Sequence, residues 1–260
     1  MIFAYLTNRL SDGIVSGMRY AILGDIHANL AAFEAVLRDV DIRGGFEKIW
    51  CLGDVVGYGP DPHECIELLR QHEHVCVAGN HDWAAIGKMD TSDFNPVAAQ
   101  ACHWTSLQLT KEDINYLQNL HLSFCQDDFT LVHGSPREPI WEYLLSIEAA
   151  EVNFAHFETA FCLVGHSHVP LIFEYIDHAT IYRGFPDGAN LTLGKNRLII
   201  NPGGVGQPRD GDPRASYAVY DDEAGTVHHY RVEYDIGATQ RKMEEQGLPS
   251  PLILRLSQGW

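Results

Sequence analysis

The chain has 260 residues, 45% of them apolar, and a net charge of −17 from 18 basic and 35 acidic side chains. That length supports one substantial core and one large domain. The acidic balance argues against general affinity for nucleic acid or an anionic membrane, because phosphate backbones are bound mainly by lysine and arginine; a local cation site would still attract a small phosphorylated substrate.

No apolar run approaches the roughly 18 to 20 residues of a membrane span. Residues 1–17 carry no basic segment before the short apolar run 2–6, unlike a signal peptide. They read as an N-terminal extension without a part in the chemistry, ahead of a single domain over 18–260. The six cysteines (Cys51, Cys65, Cys76, Cys102, Cys125, Cys162) include no CxxC pair, so neither a zinc knuckle nor a thioredoxin-like motif is present. Cys51, Cys76 and Cys162 lie in apolar runs where a free thiol acts as a small hydrophobe. Reduced, buried, structural cysteines and a cytoplasmic location are expected.

In chain order, 20–24 (YAILG) reads as a strand delivering Asp25 and His27 to its carboxyl end. Asn29 caps a helix with Leu30, Phe33, Leu37 and Val40 on one face. A strand over 49–52 ends at Gly53-Asp54, and Asp61, followed by Pro62 at the first helical position, caps a helix running to about Gln71. Next comes 75–82 (VCVAGNHD), read as the central strand, with Gly79 ending it and Asn80, His81 and Asp82 just beyond. Strands alternating with helices at this spacing imply right-handed crossovers and a parallel sheet.

Helices follow from Asn95-Pro96 towards Leu107 and from the capping box 110–113. A strand over 129–132 ends at His133, and after a helix over 147–157 a strand over 161–164 ends at Gly165-His166-Ser167-His168. Beyond Val169 come successive strands, 171–175, 180–183, 198–200, 216–220 and 226–232, read as antiparallel, then a helix over 235–246. The class is α/β, turning to α+β in the C-terminal half.

Five strand ends therefore carry Asp25-x-His27, Gly53-Asp54, Gly79-Asn80-His81-Asp82, His133 and Gly165-His166-x-His168. Each alone is a weak signal; together they are strong, because a sheet gathers the loops at its strands' carboxyl ends. In this order the motifs resemble those of the calcineurin-like metallophosphoesterases: DxH, GDxxG, GNHD, a lone His and GHxH. The loop 201–209 (NPGGVGQPR) is similar to one in the small bacterial and archaeal, phosphodiesterase-type branch of that family. The likeness covers nearly everything after Met18.

The resemblance implies a four-layer αββα sandwich of mixed sheets flanked by helices. It implies that Asp25, His27 and His168 hold one metal, Asn80, His133 and His166 another, and that Asp54 bridges them. A donor set of nitrogen and oxygen without thiolate suits Mn, the first expectation, or Fe, Ni, Co or Zn, and points away from Ca. Metal-bound hydroxide would then attack the phosphoryl group. His81 resembles the family histidine facing the leaving group, which implies a role as general acid and in transition-state stabilisation, with Asp82 a candidate to orient it; Ser135 and Ser167 are left as loop residues.

Where protein serine/threonine phosphatases of the family carry Asp-Arg-Gly, residues 53–60 here read GDVVGYGP. The absent arginine counts against a protein phosphatase. Arg137 and Arg209 are candidate replacements for binding phosphate. Tyr58, Trp83, Trp104 and Trp141 are candidates to stack on an aryl group or base, core packing being the simpler role for most of them. The leading reading is hydrolysis of a phosphodiester or phosphomonoester of a small organic or nucleotide substrate. A nuclease or protein phosphatase is the alternative within the enzymes, and a non-catalytic metal-binding scaffold the alternative outside them.

Overall fold

The computed structural model describes residues 17–260; apart from Gly17, the expected N-terminal extension lies outside the described residues. The chain runs β1 (Arg19–Leu23), α1 (Leu30–Ile42), β2 (Lys48–Cys51), α2 (Pro62–Arg70), β3 (His74–Cys76), α3 (Asn80–Ala85), α4 (Pro96–Ser106), α5 (Lys111–Gln118), β4 (Ser123–Gln126), β5 (Phe129–Val132), α6 (Ile147–Asn153) and β6 (Phe161–Leu163). It continues through β7 (Leu171–Ile176), β8 (Ala179–Gly184), β9 (Asn190–Thr192), β10 (Arg197–Asn201), β11 (Ala215–Asp221), β12 (Thr226–Val232), α7 (Ile236–Glu245) and α8 (Ser250–Arg255). No described helix is long and apolar enough to cross a membrane.

The helices begin where local chemistry satisfies their first N–H groups. Asn29 and Asn95 accept from Ala32 and Ala98, and Thr110 and Asp113 cap one another's backbone at the start of α5. Asp61 departs from its expected role. It makes no cap bond to α2, because its carboxylate is taken by the Lys242 ammonium of α7, a charged donor that outcompetes a backbone N–H.

Two mixed six-stranded sheets stack face to face, in the orders β3-β2-β1-β11-β12-β9 and β4-β5-β6-β10-β7-β8. Parallel trios, β1-β2-β3 and β5-β6-β10, are extended by antiparallel neighbours. The inner strands are buried on both faces because each sheet has a layer on either side, while the edge strands β4, β8 and β9 are largely exposed. Ala21 and Leu23 pack outward beneath α1, while Tyr20 and Ile22 pack inward on Trp50, Phe129, Leu163 and Ile200 of the inter-sheet core. The outer face of the second sheet buries Cys162, Val164 and Phe173 against Ala150 and Phe154.

Two expectations are corrected here. The strand leading into Asn80 is an edge strand, because the sheet grows on the β1 side through β11; among the described residues its outer side meets a single parallel bridge between Val77 and His121. The C-terminal strands pair consecutively only as β7–β8 and β11–β12, since β9 and β10 join opposite sheets. Short strands β4 and β9 and helices α3 and α8 carry too little periodicity to announce themselves.

Candidate metal centre

The carboxyl ends of β1, β2, β3, β5 and β6, drawn from both sheets, open onto one edge of the sandwich. The backbone turns abruptly there: Asp25, His27, Asp54, His166 and His168 adopt left-handed φ of 55°, 48°, 53°, 64° and 58°. Side chains with a Cβ rarely adopt that region, and strain of this kind gathers at functional sites. The turns are held by main-chain bonds, Asp25 N to Gly53 O at 3.0 Å, His27 N to Asp54 O at 2.9 Å and Gly165 N to His133 O at 2.8 Å.

These turns bring together all seven residues expected as ligands, each 3% exposed or less. His27 Nε2 and His168 Nε2 lie 3.1 Å apart, with Asp25 Oδ1 3.3 Å from His168 Nε2. His133 Nε2 lies 3.1 Å from both His166 Nδ1 and Asn80 Oδ1. Asp54 Oδ2 sits between the two groups, 3.6 Å from His27 Nε2 and 3.4 Å from His133 Nε2.

The remote ring nitrogens explain the inward ones. His27 Nδ1 meets Val56 O at 3.2 Å, His133 Nδ1 meets Leu52 O at 2.8 Å, His168 Nδ1 meets Gln207 O at 2.5 Å, and His166 Nε2 meets Trp141 O at 3.2 Å. A carbonyl only accepts, so each of these nitrogens carries a proton. The neutral ring's other nitrogen is then a bare lone pair aimed into the cluster. Asp25 Oδ2 is buried with no hydrogen-bond partner among the described residues. Four converging imidazole nitrogens, three of them on rings that burial keeps neutral, and an orphaned carboxylate oxygen fit divalent cations.

Electrostatics agree. Burial pushes the rings of His27, His166 and His168 well below the usual imidazole range, which keeps them neutral. Burial would raise Asp54, but the His133, His81 and His27 rings outweigh it and hold the carboxyl well below the usual range.

His81 adjoins this cluster, its main-chain N donating to Asp54 Oδ1 at 2.8 Å and its ring drawn down to about 4 by burial. It also falls within one group of potential ligands, with His27 and Asp54. Asp82 does not orient His81. Its carboxylate is filled by three backbone donors, Asp54 N at 2.9 Å, Gly79 N at 3.0 Å and Val56 N at 3.2 Å, so it faces the loop carrying Asp54.

Arg137 is not brought to the cluster; its guanidinium pairs with Glu142. Arg209 is, reaching Tyr58 Oη and Gln207 Oε1 at 3.4 Å, with its Nε buried and lacking a partner among the described residues. Tyr58 packs tilted against His27 and His81, at ring distances of 4.6 and 4.2 Å. Beside the cluster opens a cleft of about 400 Å³ whose lining includes Tyr58, His81, Phe94, Trp141 and Tyr143. Trp83 instead lies under Lys88, and Trp104 packs beside α7 and α8. Ser135 and Ser167 make loop hydrogen bonds, to Glu142 and Asn201.

Sequence reasoning missed Phe94, Tyr143, Cys102 and the carbonyls of Val56, Leu52, Trp141 and Gln207. Main-chain carbonyls have no signature in a sequence. Tyr143, which stacks on His166 at 3.9 Å, lies in a loop without periodicity.

The calcineurin-like phosphoesterase superfamily domain, compared as a family model, matches residues 18–225. A solved metallophosphoesterase from Sphaerobacter thermophilus superposes with a TM-score of 0.86 at 48% identity, covering 94% of this chain and 100% of that one. An uncharacterized protein of Methanocaldococcus jannaschii is 38% identical over 245 residues, 92% of this chain and 97% of that protein. A symmetrical bis(5'-nucleosyl)-tetraphosphatase of Pseudomonas putida is 32% identical over 82 residues, 28% of each chain.

Proposed function

Because the chain belongs to the calcineurin-like phosphoesterase superfamily, we propose that it is a binuclear-metal-dependent hydrolase of small organic or nucleotide phosphoesters, with diesters preferred. Asp25, His27 and His168 would hold one ion and Asn80, His133 and His166 the second, with Asp54 shared between the two groups. Two divalent ions, manganese foremost, would supply Lewis acidity there and activate a water when bound.

The protein's own groups do the rest. Asp82 pins the loop carrying Asp54. His81 points into the cleft to hydrogen-bond the departing ester oxygen, and the free Nε of Arg209 marks that guanidinium for phosphoryl oxygens. The aromatic cleft supports an aryl or nucleoside group, as does the local likeness to a tetraphosphatase. The observation that carries the reading is the set of four histidines, each turned by a main-chain carbonyl so that its other ring nitrogen faces the cluster around Asp54.

The test is hydrolysis of bis-p-nitrophenyl phosphate beside p-nitrophenyl phosphate, after chelation and readdition of Mn, Fe, Ni, Co or Zn. Metal-dependent release favouring the diester is expected, and His81→Ala should retain both ions while losing roughly 100- to 10,000-fold in rate. Monoester preference would replace the diester reading. Binding of two ions without turnover under any metal would make the protein a scaffold, and loss of an ion in His81→Ala would make His81 a ligand.

A further inference from the structure

We propose that the thiol of Cys102, on α4, decides which ring nitrogen of His81 carries the proton and so holds His81 as a neutral Nε2–H donor toward the ester. This rests on the role given to His81 in the reaction above. The environment of Nδ1 leaves one partner. Asp82 faces away, towards Gly79, Asp54 and Val56. The loop after β2 passes Nδ1 at Gly57, which has a φ of 90° and where a Cβ would lie 2.7 Å from that nitrogen; the loop thus makes contact with no side chain to offer. Tyr58 and Phe94 close on the ring at 4.2 and 5.0 Å, the latter edge-on.

What meets Nδ1 is Cys102 Sγ at 3.2 Å, on a residue 1% exposed. A thiol can donate or accept weakly, and here the S–H is taken as donor to the Nδ1 lone pair. Burial pushes the thiol well above its usual range, so it keeps its proton. With Nδ1 accepting, the single proton of a neutral ring sits on Nε2, the nitrogen left for the cleft that His81 lines. A carboxylate in the place of Cys102 would instead draw a proton onto Nδ1 and favour the charged ring. Cys102 is thus a positioning residue: an uncharged donor that selects a tautomer.

The experiment is nitrogen-15 NMR of histidine-labelled, zinc-loaded protein, with His81 identified by its loss in His81→Ala, together with kinetics of Cys102→Ala and Cys102→Ser on bis-p-nitrophenyl phosphate. In the wild type, His81 should show a bare Nδ1 and a protonated Nε2. Cys102→Ala should mix the tautomers and lower kcat roughly 3- to 10-fold, one neutral hydrogen bond's worth, with KM nearly unchanged. Cys102→Ser should restore both readouts, because a hydroxyl also donates. A wild-type His81 protonated at Nδ1 would overturn the proposal, as would Cys102→Ala with tautomer and kcat unchanged. The wild-type spectrum decides alone if Cys102→Ala fails to fold. It also decides if the protein turns over nothing, an outcome that would sink the phosphodiesterase reading only.

Discussion

Two of the proposed ligand side chains, Asp25 and His133, hold protons that a cation would have to displace. Burial and the Asp54 charge raise the Asp25 carboxyl to about 7. Burial alone would lower His133, yet the charges of Asp54 and Asp25 outweigh it and lift the ring to about 9. Raising the pH removes both protons, so metal affinity should climb between about pH 6 and 9 with protons released on binding. Titration calorimetry in buffers of different ionisation enthalpy checks this, and equal affinity at both ends would refute it. Asp82 offers a second test. Asn in its place sets an amide NH2 against backbone donors, so Asp82→Asn should lose about 1–3 kcal/mol of stability and loosen the hold of Asp54 on metal. A variant as stable and as metal-replete as the wild type, slowed only in kcat, would return Asp82 to His81.

At the scale of elements, the site depends on how closely strand ends approach one another. Gly79, between β3 and α3, comes so near β2's carboxyl end that a Cβ there would lie 2.0 Å from Asp54 Oδ1 and 2.4 Å from Asp54 N. Its φ is −99°, so this glycine is required by space and not by backbone freedom. Gly79→Ala should therefore displace the Asp54 carboxylate and strip metal while circular dichroism stays native. Full metal content by mass spectrometry in that variant would show that the two ends can separate without loss. Helix starts were legible from single residues such as Asn29 and Asn95, because a cap bonds an N–H three residues away. Asp61 was misread because its partner, Lys242, lies 181 residues on.

The whole molecule is a sandwich whose two parallel trios aim their carboxyl ends at one edge, and the inter-sheet core keeps those ends in register. Trp50 sits in that core at 1% exposure, stacked on Tyr20 at 4.1 Å and tilted against Phe129 at 5.0 Å. Trp50→Ala should lower unfolding free energy by about 3–5 kcal/mol in denaturant titration; a loss under about 1 kcal/mol would mean the sheets are held mainly elsewhere. The sequence by itself determined the elements around the site and the residues at their ends, since apolar runs, glycines and polar triplets such as Asn80-His81-Asp82 act over a few residues. Tertiary structure alone decided that β3 lies at an edge, that β9 and β10 part to opposite sheets, that Arg209 and not Arg137 reaches the cluster, and that His81 is met by Cys102. Sheet order and side-chain partners depend on contacts such as His27 to His168, 141 residues apart, which no local pattern encodes.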